Sequence, residues 1–251
     1  MRPLIVANWK CNPSTFAEAK KLFIAIDKGA KGKKAAVVIC PPFVFIPGLS
    51  ALRGSFLKLG AQDAFPEEGA FTGQVSIRML KQFGCEYAII GHSEKRALGE
   101  TNEIINKKIK ACLDNAIIPI FCIGESGKER KEGKTGEVLE RQLELGLKGI
   151  SKFRIQNSKL IIVYEPIWAI SKGKDWNACD AGKARQADVL IRKIIAKLYG
   201  KLAGDNVRII YGGSVNPDNA LEFIEKAKMD GLLSGAASLD AKKFIAILSK
   251  F

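Results

Sequence analysis

The chain has 251 residues, 47% of them hydrophobic and 26% charged, and a formal net charge of +14. That length suits one large α/β domain or two small ones, and the apolar fraction suffices to bury a sizeable core. Six cysteines with no CxxC spacing and a single histidine, His92, fit neither a disulfide scaffold nor a Cys/His zinc site, and no apolar run reaches the length of a membrane span.

The positive charge is compatible with nucleic acid, a membrane surface or a small anionic substrate. Its densest clusters, residues 28–34 and 128–134, are Gly-spaced and lack interleaved aromatics, so they offer no base-stacking surface. Solvated loops and helix ends are the simpler account of them. The opening decapeptide has a four-residue apolar run, too short for a signal peptide. Reduced cysteines in a cytoplasmic protein are expected.

Short apolar runs predict strands, and amphipathic stretches between them predict helices. The first run is 4–7. Thr15 with Glu18 has capping-box spacing, and Phe16, Ala19, Leu22, Phe23 and Ile26 share the following helical face. Runs at 35–40, 57–62 and 87–90 predict the next strands; the last precedes Gly91-His92-Ser93-Glu94. A helix through Ile105, Ile109 and Cys112 leads to a strand at 117–123, and a helix at 137–147 leads to the apolar run 160–164. A long helix at 180–199 precedes the strand 207–211 and the turn 212–214. Asn216-Pro217 reads as N-cap and first helical residue. A strand at 231–234 and a helix capped by Asp240 complete the chain.

Eight strands alternating with helices imply parallel strands joined by right-handed crossovers. In about 250 residues this is the arithmetic of a closed (β/α)8 barrel, with functional groups at the C-terminal strand ends. No linker, low-complexity tract or sequence repeat divides the chain, so residues 1–251 are expected to form one domain.

The polar residues fall where such a barrel would use them. Asn8 and Lys10 follow the first strand, Gln62 and Asp63 the third, His92, Ser93 and Glu94 the fourth, and Cys122 and Glu125 the fifth. Glu165 stands before Pro166, which pushes it into extended geometry at the end of the sixth strand, with the apolar stretch 167–170 beside it. Each alone has a plain structural account: a strand cap, a hydrogen-bonded histidine, a surface lysine. Together with the glycine turns after strands seven and eight, a usual barrel site for phosphate, they point to proton abstraction beside a carbonyl in a phosphorylated substrate.

The residues that carry this reading resemble the triosephosphate isomerase family across essentially the whole chain. The matching stretches are Asn8-Trp9-Lys10, Gly60-Ala61-Gln62, Gly69-Ala70-Phe71-Thr72-Gly73, residues 87–94, Cys122-Ile123-Gly124-Glu125, residues 164–170, Tyr211-Gly212-Gly213-Ser214-Val215 and Ala237-Ser238-Leu239. The resemblance implies a TIM barrel interconverting D-glyceraldehyde 3-phosphate and dihydroxyacetone phosphate through an enediolate, in glycolysis and gluconeogenesis. It implies Glu165 as the base, His92 as a neutral electrophile, and Lys10 as the cation beside the developing charge. It further implies that Asn8 shapes the pocket, that Ser171, Ser214, Gly235 and Ala236 bind phosphate, and that Glu94 and Cys122 support the site. No cofactor or metal is expected, nor a nucleic-acid or membrane partner. The resemblance also implies a homodimer contacted through Thr72, with Cys11 near the interface and sensitive to thiol reagents.

Four positions depart from the family pattern: Ser171 and Lys172 in the segment after the sixth strand, Ala236 for a second glycine, and Gln74 for a glutamate. Lys95 in place of an arginine after Glu94 is a fifth, and costs a fork-shaped donor. These bear on rate and dimer strength. Two rival readings are another sugar-phosphate isomerase on the same barrel and a non-catalytic basic binding protein.

Overall fold

A computed structural model of the chain describes residues 2–52, 56–157, 160–170 and 179–251. Its strands are β1 Leu4–Asn8, β2 Ala36–Cys40, β3 Leu57–Ala61, β4 Cys85–Ile90, β5 Ile118–Ile123, β6 Ile161–Tyr164, β7 Arg208–Tyr211 and β8 Gly231–Ser234. They close into a barrel in chain order, each neighbouring pair parallel, with β8 hydrogen-bonded back to β1. The expected (β/α)8 TIM barrel is the architecture found.

The strands are apolar on both faces because both faces are covered. Leu4, Val6, Val38, Ile89, Ile120, Val163 and Ile210 fill the barrel interior. Their sequence neighbours, such as Ile5, Ile39, Ile90, Phe121 and Ile162, join the outer core against the helices. Period-two alternation thus sorts side chains between two cores rather than between core and water.

The expected helix signals work locally. Thr15 and Glu18 form the capping box of the helix Phe16–Ala30. Asp180 caps Ala181–Tyr199, and Asp240 caps Ala241–Leu248. Three expectations need correction. Phe16 is 41% exposed rather than core; it leans over the edge of its helix, 6.1 Å from the Phe45 ring. Asn216 accepts from Asp218 N and Asn219 N as a cap would, but it caps only a turn, and the regular helix is Ala220–Glu225. β6 begins at Ile161 rather than Leu160, while its end at Tyr164 leaves Glu165 directly after the strand as expected.

A buried ion network ties the N-terminal side together. Asp188, with no solvent exposure, receives Arg185 and Arg192, and Arg192 reaches on to Asp230, which also accepts from Ile209 N at the start of β7. The catalytic candidates all lie at the opposite end.

Candidate active site

β1 delivers Asn8 and Lys10 to the C-terminal mouth. Lys10 has a positive φ of 53°, uncommon for a residue with a side chain. Its backbone is held on both sides: Lys10 N donates to Asn8 Oδ1 at 3.0 Å, and Gln62 Nε2 from beyond β3 donates to Lys10 O at 2.8 Å. The ammonium lies at the rim of the mouth, where Nζ meets Oε1 of the exposed Glu94 at 2.5 Å.

After β4, Gly91 at φ 74° turns the chain, and His92 becomes the N-cap of the short helix Ser93–Ala97. Glu94 N donates to His92 Nδ1 at 3.2 Å. A ring nitrogen that accepts carries no proton, so the imidazole is the Nε2–H tautomer and neutral. This overrides an ion-pair reading of the 3.8 Å approach between Nδ1 and Glu94 Oε2. Nε2 then donates to Glu165 Oε1 at 2.9 Å.

Glu165 is 3% exposed. Its remaining donors come from one residue: Ser93 Oγ to Oε1 and Ser93 N to Oε2, both at 3.0 Å. The carboxylate from β6 is therefore gripped by the turn after β4, across 72 residues of sequence.

Asn8, Lys10, His92 and Glu165 line a cavity of about 220 Å³ whose other wall is Gly212, Gly213, Ser214, Gly235 and Ala236. The backbone N–H groups of Gly213, Ser214, Gly235 and Ala236 find no acceptor among the described residues. Four unpaired donors on one wall suit an anion. Gly213 is constrained by packing, since the Tyr211 hydroxyl sits 2.1 Å from where a Cβ would stand. Of the expected phosphate contacts, Ser171 lies outside the described residues, as does Lys172. A second cavity of about 270 Å³ adjoins on the Lys10 side, lined by Cys11, Gln62, Asp63, Glu94 and Lys95.

Two contributors escaped the sequence reading. Ser93 stands with His92 and Glu94 among the polar residues after the fourth strand, but the sequence assigns it no role. Glu125 was noted at the end of β5 without a role, yet it is wholly buried and accepts from Tyr164 Oη, Trp168 Nε1 and Arg130 Nη1. Arg130 also lies over the Trp168 ring, 4.2 Å from its centre. Glu125 thus fastens the segment that follows Glu165. Its signal was present: a carboxylate closing an apolar strand. Cys122 is buried near Glu165, and burial, then the Glu165 charge, pushes its thiol well up, so it remains protonated.

A wide concavity of about 630 Å³ lies away from this site, among Phe65, Glu68, Phe71, Ser76 and Met79. Phe71 is 41% exposed there, and Thr72 is exposed beside it. Lys95, standing for the expected arginine, pairs with Asp63 Oδ2 at 3.0 Å.

A buried carboxylate, a neutral imidazole N–H, an ammonium and an anion-binding wall share one cavity. Such a set can move a proton on a carbon next to a carbonyl while an attached anionic group is held. The family model described as Triosephosphate isomerase matches residues 3–251. The chain is 46% identical over 249 residues to a protein named Triosephosphate isomerase from Dictyoglomus thermophilum, covering 97% of each. It is 46% identical over 251 residues to one so named from Thermoanaerobacter sp. strain X514, covering 99% of each. It is 44% identical over 251 residues to one so named from Moorella thermoacetica, covering 99% of this chain and 98% of that one.

Proposed function

Because this chain belongs to the triosephosphate isomerase family, an isomerase family, we propose that Glu165, His92 and Lys10 carry out the interconversion of D-glyceraldehyde 3-phosphate and dihydroxyacetone phosphate in this protein. Glu165 takes a proton from the carbon beside the substrate carbonyl and returns it to the neighbouring carbon. His92 Nε2–H and the Lys10 ammonium hydrogen-bond the substrate oxygens as negative charge develops on them. A neutral imidazole suits this task, because its weakly acidic N–H hydrogen-bonds the enediolate where a readily deprotonated imidazolium would hand over its proton. Asn8 shapes the pocket, and Ser171, Ser214, Gly235 and Ala236 hold the phosphate. Glu94 and Cys122 support the set, and neither metal nor organic cofactor enters the scheme.

The observation that carries the assignment is the meeting of Glu165 Oε1 with His92 Nε2 at 2.9 Å in a cavity shared with Lys10 and the unpaired N–H wall. A coupled isomerase assay on the wild type and Glu165→Gln tests it. Wild-type turnover that collapses in the variant is the expected result; comparable turnover in both sinks the assignment of the base.

The same reading makes residues 1–251 one catalytic domain acting in glycolysis and gluconeogenesis in the cytoplasm. Among the described residues no helix is long and apolar enough to cross a membrane. The protein works as a homodimer, with the exposed Phe71-Thr72 loop entering the partner subunit. Sedimentation at micromolar concentration distinguishes this dimer from a monomer.

A further inference from the structure

Gln142 sits on the buried side of the helix Thr135–Gly146, among Val138, Leu139 and Leu143, and is 8% exposed. A primary amide there must have both its donor and its acceptor satisfied. Both go to one residue. Gly124 N donates to Gln142 Oε1 at 2.8 Å, and Gln142 Nε2 donates to Gly124 O at 3.1 Å.

The reason lies in where the sheet ends. Alternate residues of β5 present their N–H and C=O to opposite neighbours. Ile123 O and Glu125 O face β6, where they accept from Glu165 N at 2.7 Å and Ile167 N at 3.1 Å. Cys122 and Gly124 face the β4 side. There β4 pairs only as far as Ile90 with Phe121, and the chain then turns away at Gly91 toward His92. The missing strand is replaced by side chains: Arg96 Nη2 reaches Cys122 O at 3.3 Å, and Gln142 takes both groups of Gly124.

Gly124 in turn supports the base. A Cβ built on it would lie 2.0 Å from Glu165 O and 2.6 Å from Glu165 C, so the Glu165 peptide rests directly on the Gly124 backbone. The next residue, Glu125, holds Tyr164 and Trp168. One amide on a helix therefore fixes the peptide against which the base's own backbone packs, and the start of the segment beyond it.

We propose that Gln142 is a positioning residue for the isomerisation: by closing a two-bond clamp on Gly124 it sets the backbone of Glu165. It touches neither substrate nor reacting atoms. The inference rests on the proposed role of Glu165, and its test separates the two. Gln142→Leu keeps the size and removes both bonds. Misplacement of a reacting group by about an ångström costs on the order of 10²-fold, so kcat is expected to fall between about 10-fold and 10²-fold with KM within about twofold. Gln142→Glu supplies the sign-specific readout. A protonated carboxyl reproduces one donor and one acceptor, whereas the ionised form cannot donate to Gly124 O. The kcat of Gln142→Glu relative to wild type should therefore rise as pH falls. A scaffold role alone would show activity tracking the folded fraction in both variants, with no such pH-dependent ratio, and that outcome overturns the inference. The indole N–H resonance of Trp168, identified through Trp168→Phe, adds a readout that does not need turnover. It should shift in Gln142→Leu as the Glu125 contact loosens; an unmoved resonance also overturns the inference. Loss of wild-type turnover with a shifted resonance would count against the catalytic reading and leave the clamp standing.

Discussion

Ser93 grips both oxygens of Glu165, its hydroxyl on Oε1 and its backbone N–H on Oε2, each at 3.0 Å. With His92 Nε2 also on Oε1, three donors hold the carboxylate, and two of them crowd the single oxygen Oε1. A hydrogen bond to a charged group is worth about 1.5–3 kcal/mol, but the backbone donor survives substitution. Ser93→Ala is expected to change kcat by less than about 10-fold. A loss beyond about 10²-fold in steady-state kinetics would place the hydroxyl in the reaction itself.

Glu165→Gln keeps shape and removes basicity, and should lower kcat by about 10³-fold or more, within the range of general-base catalysis. Lys10→Ala should cost about 10²-fold to 10³-fold through lost stabilisation of developing charge. Lys33→Ala removes an equal charge in the loop ahead of β2 and should stay within about twofold, the size of a steering effect. Equal small losses for the two lysine variants would refute a local role for Lys10.

Glu125→Leu leaves the buried hydroxyl of Tyr164 and the indole N–H of Trp168 without their acceptor. Each unsatisfied donor costs about 1–3 kcal/mol, so a total near 3 kcal/mol is expected in urea unfolding. Glu125→Gln, which still accepts, should lose less. Equal stability of Glu125→Leu and wild type would remove Glu125 from its anchoring role.

The thiols make an alkaline prediction. Burial pushes Cys179 up to about 11 and Cys85 and Cys112 up to about 12, from an ordinary value of 9.0. Between pH 9.0 and about 12 the unfolded chain releases protons that the folded chain keeps. Their contribution to stability is thus complete below pH 9.0 and is lost as pH rises through about 11 to 12. Tm should fall steadily above pH 9.0, and Cys179→Ala should flatten the fall, as read by scanning calorimetry.

Cys11 alone among the six cysteines is exposed. Mass spectrometry after brief iodoacetamide treatment at pH 8 should find it modified first, because the other thiols are both buried and held protonated. In the proposed dimer, that modification lowers activity and loosens association. Full activity and an intact dimer after complete Cys11 alkylation would remove it from the interface.

Much of this protein was legible in its chain. Apolar runs such as 117–123 and 160–164 are strands because a parallel barrel covers both of their faces, and their spacing alone counts the barrel. Capping residues Thr15, Asp180 and Asp240 act within a turn of themselves, so local pattern suffices to place them. Strand-end chemistry at Lys10, His92 and Glu165 followed from the topology that gathers strand ends at one mouth.

The tertiary structure alone decided what those residues touch. Ser93 is 72 residues from Glu165, Glu125 is 39 from Tyr164, and Gln142 is 18 from Gly124. No periodicity encodes such pairs, because each joins segments that only the closed barrel brings together; the Gln142 pair completes backbone hydrogen bonds left open where β4 ends short of Gly124. Phe16 and Asn216 show the same limit: helical spacing names a face and a cap residue names a turn, but packing against neighbours settles which face is covered and where the regular helix starts. Sequence by itself determined the barrel and the chemical types at its mouth, because both depend on local pattern. The tautomer of His92, the grip on Glu165 and the clamp on Gly124 depend on distances of about 3 Å between distant segments, which only the closed barrel sets.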